Sequence, residues 1–392
     1  MHIKQKPEDF KVEEVTSWTG GKAGDFAFYR LEKRGWTTPD ALQIIQRRWK
    51  MDTRRVSFGG LKDRHAETTQ YFTIYRGPQR KLTHPNLQVT YLGQAVEAYA
   101  SEHIDANRFV VTVRALTEEQ IGPALKALEE VRKAGVPNYY DDQRFGSVAQ
   151  GGPFLAQQII RGEYEAALQS ALTAPYAHER APQKKAKTLL RQHWGDWLRC
   201  QKMLPRNRII DYLVTHPGDY QGALERLRPE LRSLYLSAYQ SHLWNRMLAD
   251  WLIDHVPPSE RTQVTLRLGE VPMARRLNAE LRRTVSDLQL PLHTSRNHLD
   301  DDDPRKPYFD RILTEEELTL EQFKLKGFQK LFFSKGERPA WCFPHDLEAR
   351  HAKDEEHPRR EKLTLRFELP RGSYATLVVK RITRVDLAGA EA

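Results

Sequence analysis

Apolar positions along this chain follow two periods, one helical and one of two residues. After Thr38-Pro39-Asp40, the residues Leu42, Ile45 and Trp49 fall at helical spacing. Thr38 suits an N-cap, Pro39 the first helical position and Asp40 the first turn, which predicts a helix ending near Asp52. Val56-Ser57-Phe58 then reads as a short strand, broken by Gly59-Gly60. The stretch TQYFTIYRG predicts another strand. In NRFVVTVRAL, Phe109, Val111 and Val113 alternate with Val110, Thr112 and Arg114, a strand with one face buried. Ile121, Leu125, Leu128 and Val131 share one helical face, and Gly135 suits the stop of that helix.

From about Gly151 the texture changes, and helical patterns dominate to roughly Leu252. Strands return near the end. KLTLRFELP alternates Leu363, Leu365, Phe367 and Leu369, and YATLVVKRI reads as a strand able to pair beside it. The expected class is α/β (α+β): a mixed sheet with helices, interrupted by a largely helical insertion. The division expected is residues 1–150 with 338–392 in one unit and 151–337 in the insertion.

Composition narrows the partners. The 392 residues are enough for two domains. No run of about 18 apolar residues occurs, so no membrane span is expected. Met1 to Lys6 has no apolar stretch behind it, so no secretory signal is expected. Cys200 and Cys342 form no CxxC pair, which speaks against a zinc ribbon or disulfide scaffold and fits a cytoplasmic location. The formal net charge of +10 favours a polyanionic partner, nucleic acid first. Cations cluster at Arg47, Arg48, Lys50, Arg54 and Arg55, at Lys184, Lys185, Lys187 and Arg191 before Trp194 and Trp197, and at Lys202, Arg206 and Arg208. Cations beside aromatics suit phosphates and unpaired bases. The run Asp300 to Asp303 lacks the glycine and distal glutamate of a calcium loop and reads as a solvated loop. His345, His351 and His357 lack zinc spacing, and their stretch reads as an exposed charged loop.

The candidate chemistry lies in FGGLKDRHAETTQ. Asp63 follows a strand end and two glycines, a usual place for a projecting functional loop. Lys62, Arg64 and His65 flank it. Nearby cations favour the ionised carboxylate that a nucleophile or general base requires. A paired-metal nuclease would call for more carboxylates than Asp63 and Glu67, with fewer cations crowding them.

Five separated stretches resemble one family: KQKPEDFKVEE, SFGGLKDRHAETTQ, PNYYDDQRFG, SAYQSHLWN and LPRGSYAT, in that order from end to end. Together they are similar to the TruD family of RNA pseudouridine synthases. The resemblance implies isomerisation of uridine to pseudouridine in tRNA, at position 13 in the D-arm region. It implies a pseudouridine-synthase catalytic domain with a family-specific insertion, tRNA as partner, and neither cofactor nor metal. It places Asp63 as the catalytic aspartate, Lys4 as its basic partner, and Phe10 as an aromatic near the site. It matches Asn138 and Tyr140 to the asparagine and aromatic of the second motif, and Tyr374 to a further aromatic. Asp141 departs from the family, which often has glycine there.

The implied reaction breaks N1–C1′, turns the base and joins C5 to C1′. The uridine must leave its stack first, which costs a few kcal/mol. Tyr140 could supply an aromatic face and Asn138 a donor and acceptor. Asp63 could attack C1′ or remove a sugar proton, with Lys4 holding it ionised and oriented. The alternative is an RNA-binding or RNA-folding module on the same basic surface, without significant catalysis.

Overall fold

The computed structural model describes residues 1–149, 151–175, 179–329 and 331–383. Strands β1 (Phe10–Val15) and β2 (Phe26–Arg34) precede helix α1 (Thr38–Trp49). Strands β3 (Val56–Phe58), β4 (Glu67–Tyr75), β5 (Leu82–His84), β6 (Leu87–Ala95) and β7 (Ala106–Leu116) follow, then α2 (Glu118–Ala134) and β8 (Val136–Pro137). Helices then succeed one another: α3 (Leu155–Ile160), α4 (Tyr164–Thr173), α5 (Ala181–Gln192), α6 (Trp197–Met203), α7 (Arg208–Thr215), α8 (Tyr220–Glu225) and α9 (Pro229–His255). After these come β9 (Arg261–Leu266), β10 (Gly269–Ala274), α10 (Ala279–Asp287), β11 (Gln289–Pro291) and α11 (Lys306–Glu315). The chain closes with β12 (Glu337–Pro339), β13 (Trp341–Cys342), β14 (His345–Lys353), β15 (Glu361–Pro370) and α12 (Ala375–Thr383). Among the described residues no helix is long and apolar enough to cross a membrane.

The main sheet has nine strands in the order β14-β15-β7-β1-β4-β2-β6-β5, with β3 paired to β4. Only β1 and β4 pair in parallel, with Lys11 opposite Glu67; the other pairings of the sheet are antiparallel. The mixed α/β class read from the sequence holds, as does the helical region between the two strand-bearing ends.

Three large cores and a smaller one, of Phe28, Tyr99 and Ile104, lie among the described residues. Phe10, Val12, Phe109, Val111, Leu365 and Phe367 pack with α2 and α12 on one part of the sheet. Tyr29, Leu31, Phe72, Ile74 and Val89 pack with Leu42 and Ile45 of α1. The largest core surrounds α9, with Tyr239, Trp244, Met247 and Leu248 fully enclosed. Each large apolar side chain so enclosed contributes roughly 1.5–3 kcal/mol.

Several expected elements shift. The N-cap of α1 is Thr37, whose hydroxyl accepts from the Asp40 N–H. The Thr38 hydroxyl is one residue inside and serves a tertiary network instead. YATLVVKRI is helical from Ala375 onward, not a strand: the helix is buried around most of its girth, Lys380 and Arg381 included, although Thr376, Lys380 and Thr383 fall at helical spacing. β15 pairs with β7 on one side and on the other with β14, drawn from the stretch expected to be a charged loop. That strand lies at the sheet edge and buries only Leu347, so charged side chains dominate its sequence. On β7, Arg114 is buried despite facing the expected polar side, because Asp9 and Asp354 pair with it. On α2, Leu125 is exposed and Ala124 is buried in its stead.

Candidate active site

The loop between β3 and β4 carries Asp63 and makes few ladder bonds of its own. Side chains from elsewhere fasten it. Gln70 donates to the Gly60 carbonyl at 3.3 Å and accepts from Thr38 at 2.8 Å. The Lys62 N–H donates to the same Thr38 hydroxyl at 2.9 Å. The Lys62 ammonium points inward, 3.0 Å from Glu14 Oε1 and 2.8 Å from Asn107 Oδ1. Burial pushes the Glu14 carboxyl up, against Lys62 and the Tyr71 N–H, which pull it down. From the other side the Lys33 ammonium donates to the carbonyls of Trp36, Lys62 and Asp63. The Asp63 carboxylate is left projecting, 45% exposed.

Lys4 meets it there. Its Nζ lies 2.8 Å from Asp63 Oδ2 and 4.4 Å from the centroid of the Phe10 ring. Its side chain is only 9% exposed. The N-terminal segment is held for this by a backbone bridge between His2 and Arg114 and by the short 3-10 turn Pro7–Asp9, whose Asp9 pairs with Arg114. Phe10 is buried, edge-on to Phe109. The structure therefore brings Asp63, Lys4 and Phe10 together. Of the cations expected to flank Asp63, Lys62 turns to Glu14, and Arg64 donates to the Gly35 carbonyl.

Asn138, Tyr140 and Tyr374 form a second cluster. The rings of Tyr140 and Tyr374 lie edge-on at 6.4 Å, and Trp244 stands edge-on to Tyr140 at 5.4 Å. Asn245 clamps the Tyr140 backbone, accepting from its N–H at 2.8 Å and donating to its carbonyl at 2.9 Å. Asn138 is 3% exposed and its amide is engaged: it donates to the Pro339 carbonyl and accepts from Arg338. Arg338 also donates twice to the Asn138 carbonyl and lies 4.2 Å above the Tyr140 ring. Sequence reasoning passes over Arg338, which stands in no motif and is far from Asn138 in the chain. Both clusters hang on neighbouring strands. Phe10 opens β1, Asn107 on β7 holds Lys62, and Leu369 of β15 stands opposite Asn107 just before the turn to Tyr374.

Asp141, the departure from the family pattern, is buried against Lys380 Nζ at 2.7 Å and accepts from the Thr376 hydroxyl. Its side chain closes the junction between the second motif and α12, so the backbone need not rely on a glycine.

The first basic cluster grows on folding. Arg55 donates to the Tyr75 carbonyl at 2.8 Å, and Arg80 lies 5.6 Å from the Trp49 ring. Arg47, Arg48, Lys50, Arg54, Arg76, Arg80 and Lys81 are all exposed. The tryptophans beside the second cluster are used otherwise: Trp197 is buried and Trp194 donates to Glu165. A groove of about 540 Å³ lies over the main sheet, lined by Lys33 and Glu67 with Lys11, Arg34, His84 and Arg108. A larger cavity, about 710 Å³, lies between α4 and α8 and contains none of the expected site residues.

Comparison with known proteins agrees with these motifs. The family model described as tRNA pseudouridine synthase D (TruD) matches residues 1–382. The chain is 31% identical over 396 residues to the probable tRNA pseudouridine synthase D 1 of Methanococcus maripaludis, covering 98% of this chain and 100% of that protein. It is 29% identical over 403 residues to the tRNA pseudouridine synthase D of Aquifex aeolicus, covering 99% of each. A crystal structure described as that of the putative tRNA pseudouridine synthase D (TruD) from Methanosarcina mazei superposes with a TM-score of 0.74 at 25% identity, covering 98% of this chain and 94% of that one.

Proposed function

This chain belongs to the TruD family of tRNA pseudouridine synthases, and from that premise we propose that it isomerises the uridine at position 13 of tRNA, in the D-arm region, with Asp63 as the catalytic carboxylate. The observation that supports this most is the Lys4–Asp63 pair at 2.8 Å, offered at the rim of the loop. A side chain held by a buried cation yet open to solvent is available to a sugar and already oriented. In the reaction N1–C1′ breaks, C5–C1′ forms, C5 gives up its hydrogen and N1 gains a proton. No net oxidation occurs, and the family resemblance implies no cofactor. Asp63 acts either by attack on C1′ or by removing a sugar proton.

Phe10, Tyr140 and Tyr374 are the aromatic surfaces proposed for the extruded base and its neighbours. Asn138, engaged by Arg338 and Pro339, would keep Tyr140 in place and not read the base edge. Residues 1–150 with 338–392 would form the catalytic domain, and 151–337 the insertion. A cytoplasmic place of action belongs to the same reading.

The experiment uses tRNA transcripts tritiated at uridine C5. Wild type should release tritium and Asp63→Asn should not, while the variant keeps most of its RNA affinity, which rests on phosphate contacts. Turnover by Asp63→Asn would remove Asp63 from the mechanism. Modification mapped elsewhere than position 13 would correct the target.

A further inference from the structure

Lys33 is a buried lysine that no carboxylate contacts among the described residues. It sits on β2 and is 3% exposed. Among the described residues its ammonium makes no ion pair. Its three N–H bonds have three backbone acceptors: the carbonyls of Trp36 at 2.8 Å, Asp63 at 3.0 Å and Lys62 at 3.3 Å. A buried charge with no carboxylate in contact is unfavourable, and an apolar residue would pack there at lower free energy. The place where that cost falls is informative. Two of the three carbonyls flank the peptide that leads into Asp63.

We infer that Lys33 is a positioning residue for the reaction: by gathering the Trp36, Lys62 and Asp63 carbonyls onto one ammonium, it sets where the Asp63 carboxylate projects. The inference rests on Asp63 as the catalytic residue and deepens that reading. The loop has little ladder bonding of its own, so its path is decided by the side chains that staple it. Thr38 and Gln70 hold its entry, and Lys62 reaches Glu14 and Asn107. Lys33 alone among these holds the Asp63 peptide itself. It also brings a positive charge to the side of Asp63 opposite the solvent, whereas Lys4 meets the carboxylate directly.

Titration follows from the same environment. Burial lowers Lys33 to about 8; the facing Asp63 charge works against this and Lys62 works with it. Above that value the neutral amine keeps two donors and turns a lone pair toward a third carbonyl. One staple is lost and the loop relaxes, so turnover acquires an alkaline limb.

The test is single-turnover tritium release, with KM measured in parallel, from about pH 6.5 to about 9.5. Wild type is compared with Lys33→Met, Lys33→Arg and Asp63→Asn, and each is checked for a native melting transition. Lys33→Met should lose roughly tenfold or more in rate, as expected for a misplaced catalytic group, with KM nearly unchanged. Lys33→Arg, which stays charged throughout, should retain activity and lack the alkaline limb expected of wild type near pH 8. A wild-type rate in Lys33→Met beside an inactive Asp63→Asn would overturn the role of Lys33. So would an identical alkaline limb in Lys33→Arg and wild type, and this arm decides if Lys33→Met fails to fold. Activity in Asp63→Asn would instead overturn the reading on which the inference rests.

Discussion

Lys380 and Asp141 meet at 2.7 Å with each side chain only 1% exposed. Asp142 approaches the same ammonium, also at 2.7 Å. Burial pulls Lys380 down, but the two carboxylates more than offset this and hold it above its usual value. A lysine raised in this way stabilises the fold throughout neutral pH, and that contribution is lost only as pH climbs through its folded value. Lys380→Met should cost about 3–5 kcal/mol, because Asp141 is left buried without its cation, whereas Asp141→Asn should cost less, because Asp142 still pairs with Lys380. Changing both should cost less than the sum. Denaturant midpoints of the two single variants and the double variant check this.

Arg338 binds the Asn138 carbonyl and side chain while lying over Tyr140. A lysine has neither the planar fork nor the flat face for both tasks. Arg338→Lys should cost roughly 1.5–3 kcal/mol of stability through the missing charge-assisted bonds. It should also slow turnover, since Tyr140 loses its cover. Salt-dependent tRNA affinity should stay close to wild type. Thermal melts, kcat and filter binding separate the three effects.

The exposed cations Arg47, Arg48 and Arg80 are expected to meet phosphates of the tRNA. Replacing all three by alanine should weaken binding at low salt and flatten the plot of log affinity against log salt. Each phosphate that is no longer neutralised by a cation changes that slope by roughly 0.7–0.9. An unchanged slope would place the RNA on another face.

His293 is buried and His242 half-buried, and both are favoured as neutral rings. His293 lies flat on Phe309 at 4.1 Å and His242 on Phe154 at 4.7 Å. Burial lowers each to about 4. In the unfolded chain they take up protons near pH 6.5, so the unfolded state binds more protons between about 6.5 and about 4. Stability is therefore full above about pH 6.5 and falls as pH drops toward about 4, by roughly 3 kcal/mol for the fully enclosed His293. Urea midpoints at descending pH, with His293→Phe as comparison, should show the decline in wild type and a shallower one in the variant.

What the sequence made legible follows from how local the cause was. Residues Phe109, Val111 and Val113 face one core, and their alternation carried that information directly. The glycine break before Asp63 did the same for the loop. Ala375–Thr383 failed because the run Leu377-Val378-Val379 was read as a strand although Thr376, Lys380 and Thr383 fall at helical spacing. His345–Lys353 failed because an edge strand can be almost wholly charged. Asp63 and Lys4 were paired through family resemblance, and their 2.8 Å contact is a product of tertiary structure. Lys33 and Arg338 were missed because their partners are backbone carbonyls and ring faces brought near only by folding. A lone lysine on a strand reads as a solvent-facing one until its acceptors are known.

The pairing of β7 with β15 has a consequence for the nascent chain. Thr112 and Thr364 touch at 3.2 Å across this ladder, yet they are 252 residues apart. As the protein leaves the ribosome, β7 is made long before its neighbour exists. For roughly ten to fifty seconds at ordinary synthesis rates, one margin of β7 waits with its N–H and C=O groups unclaimed. An unpaired margin invites pairing with other chains. The newborn enzyme thus passes through a half-finished sheet, and crowding on a busy message should lower its yield more than that of a protein whose strands pair in order of birth.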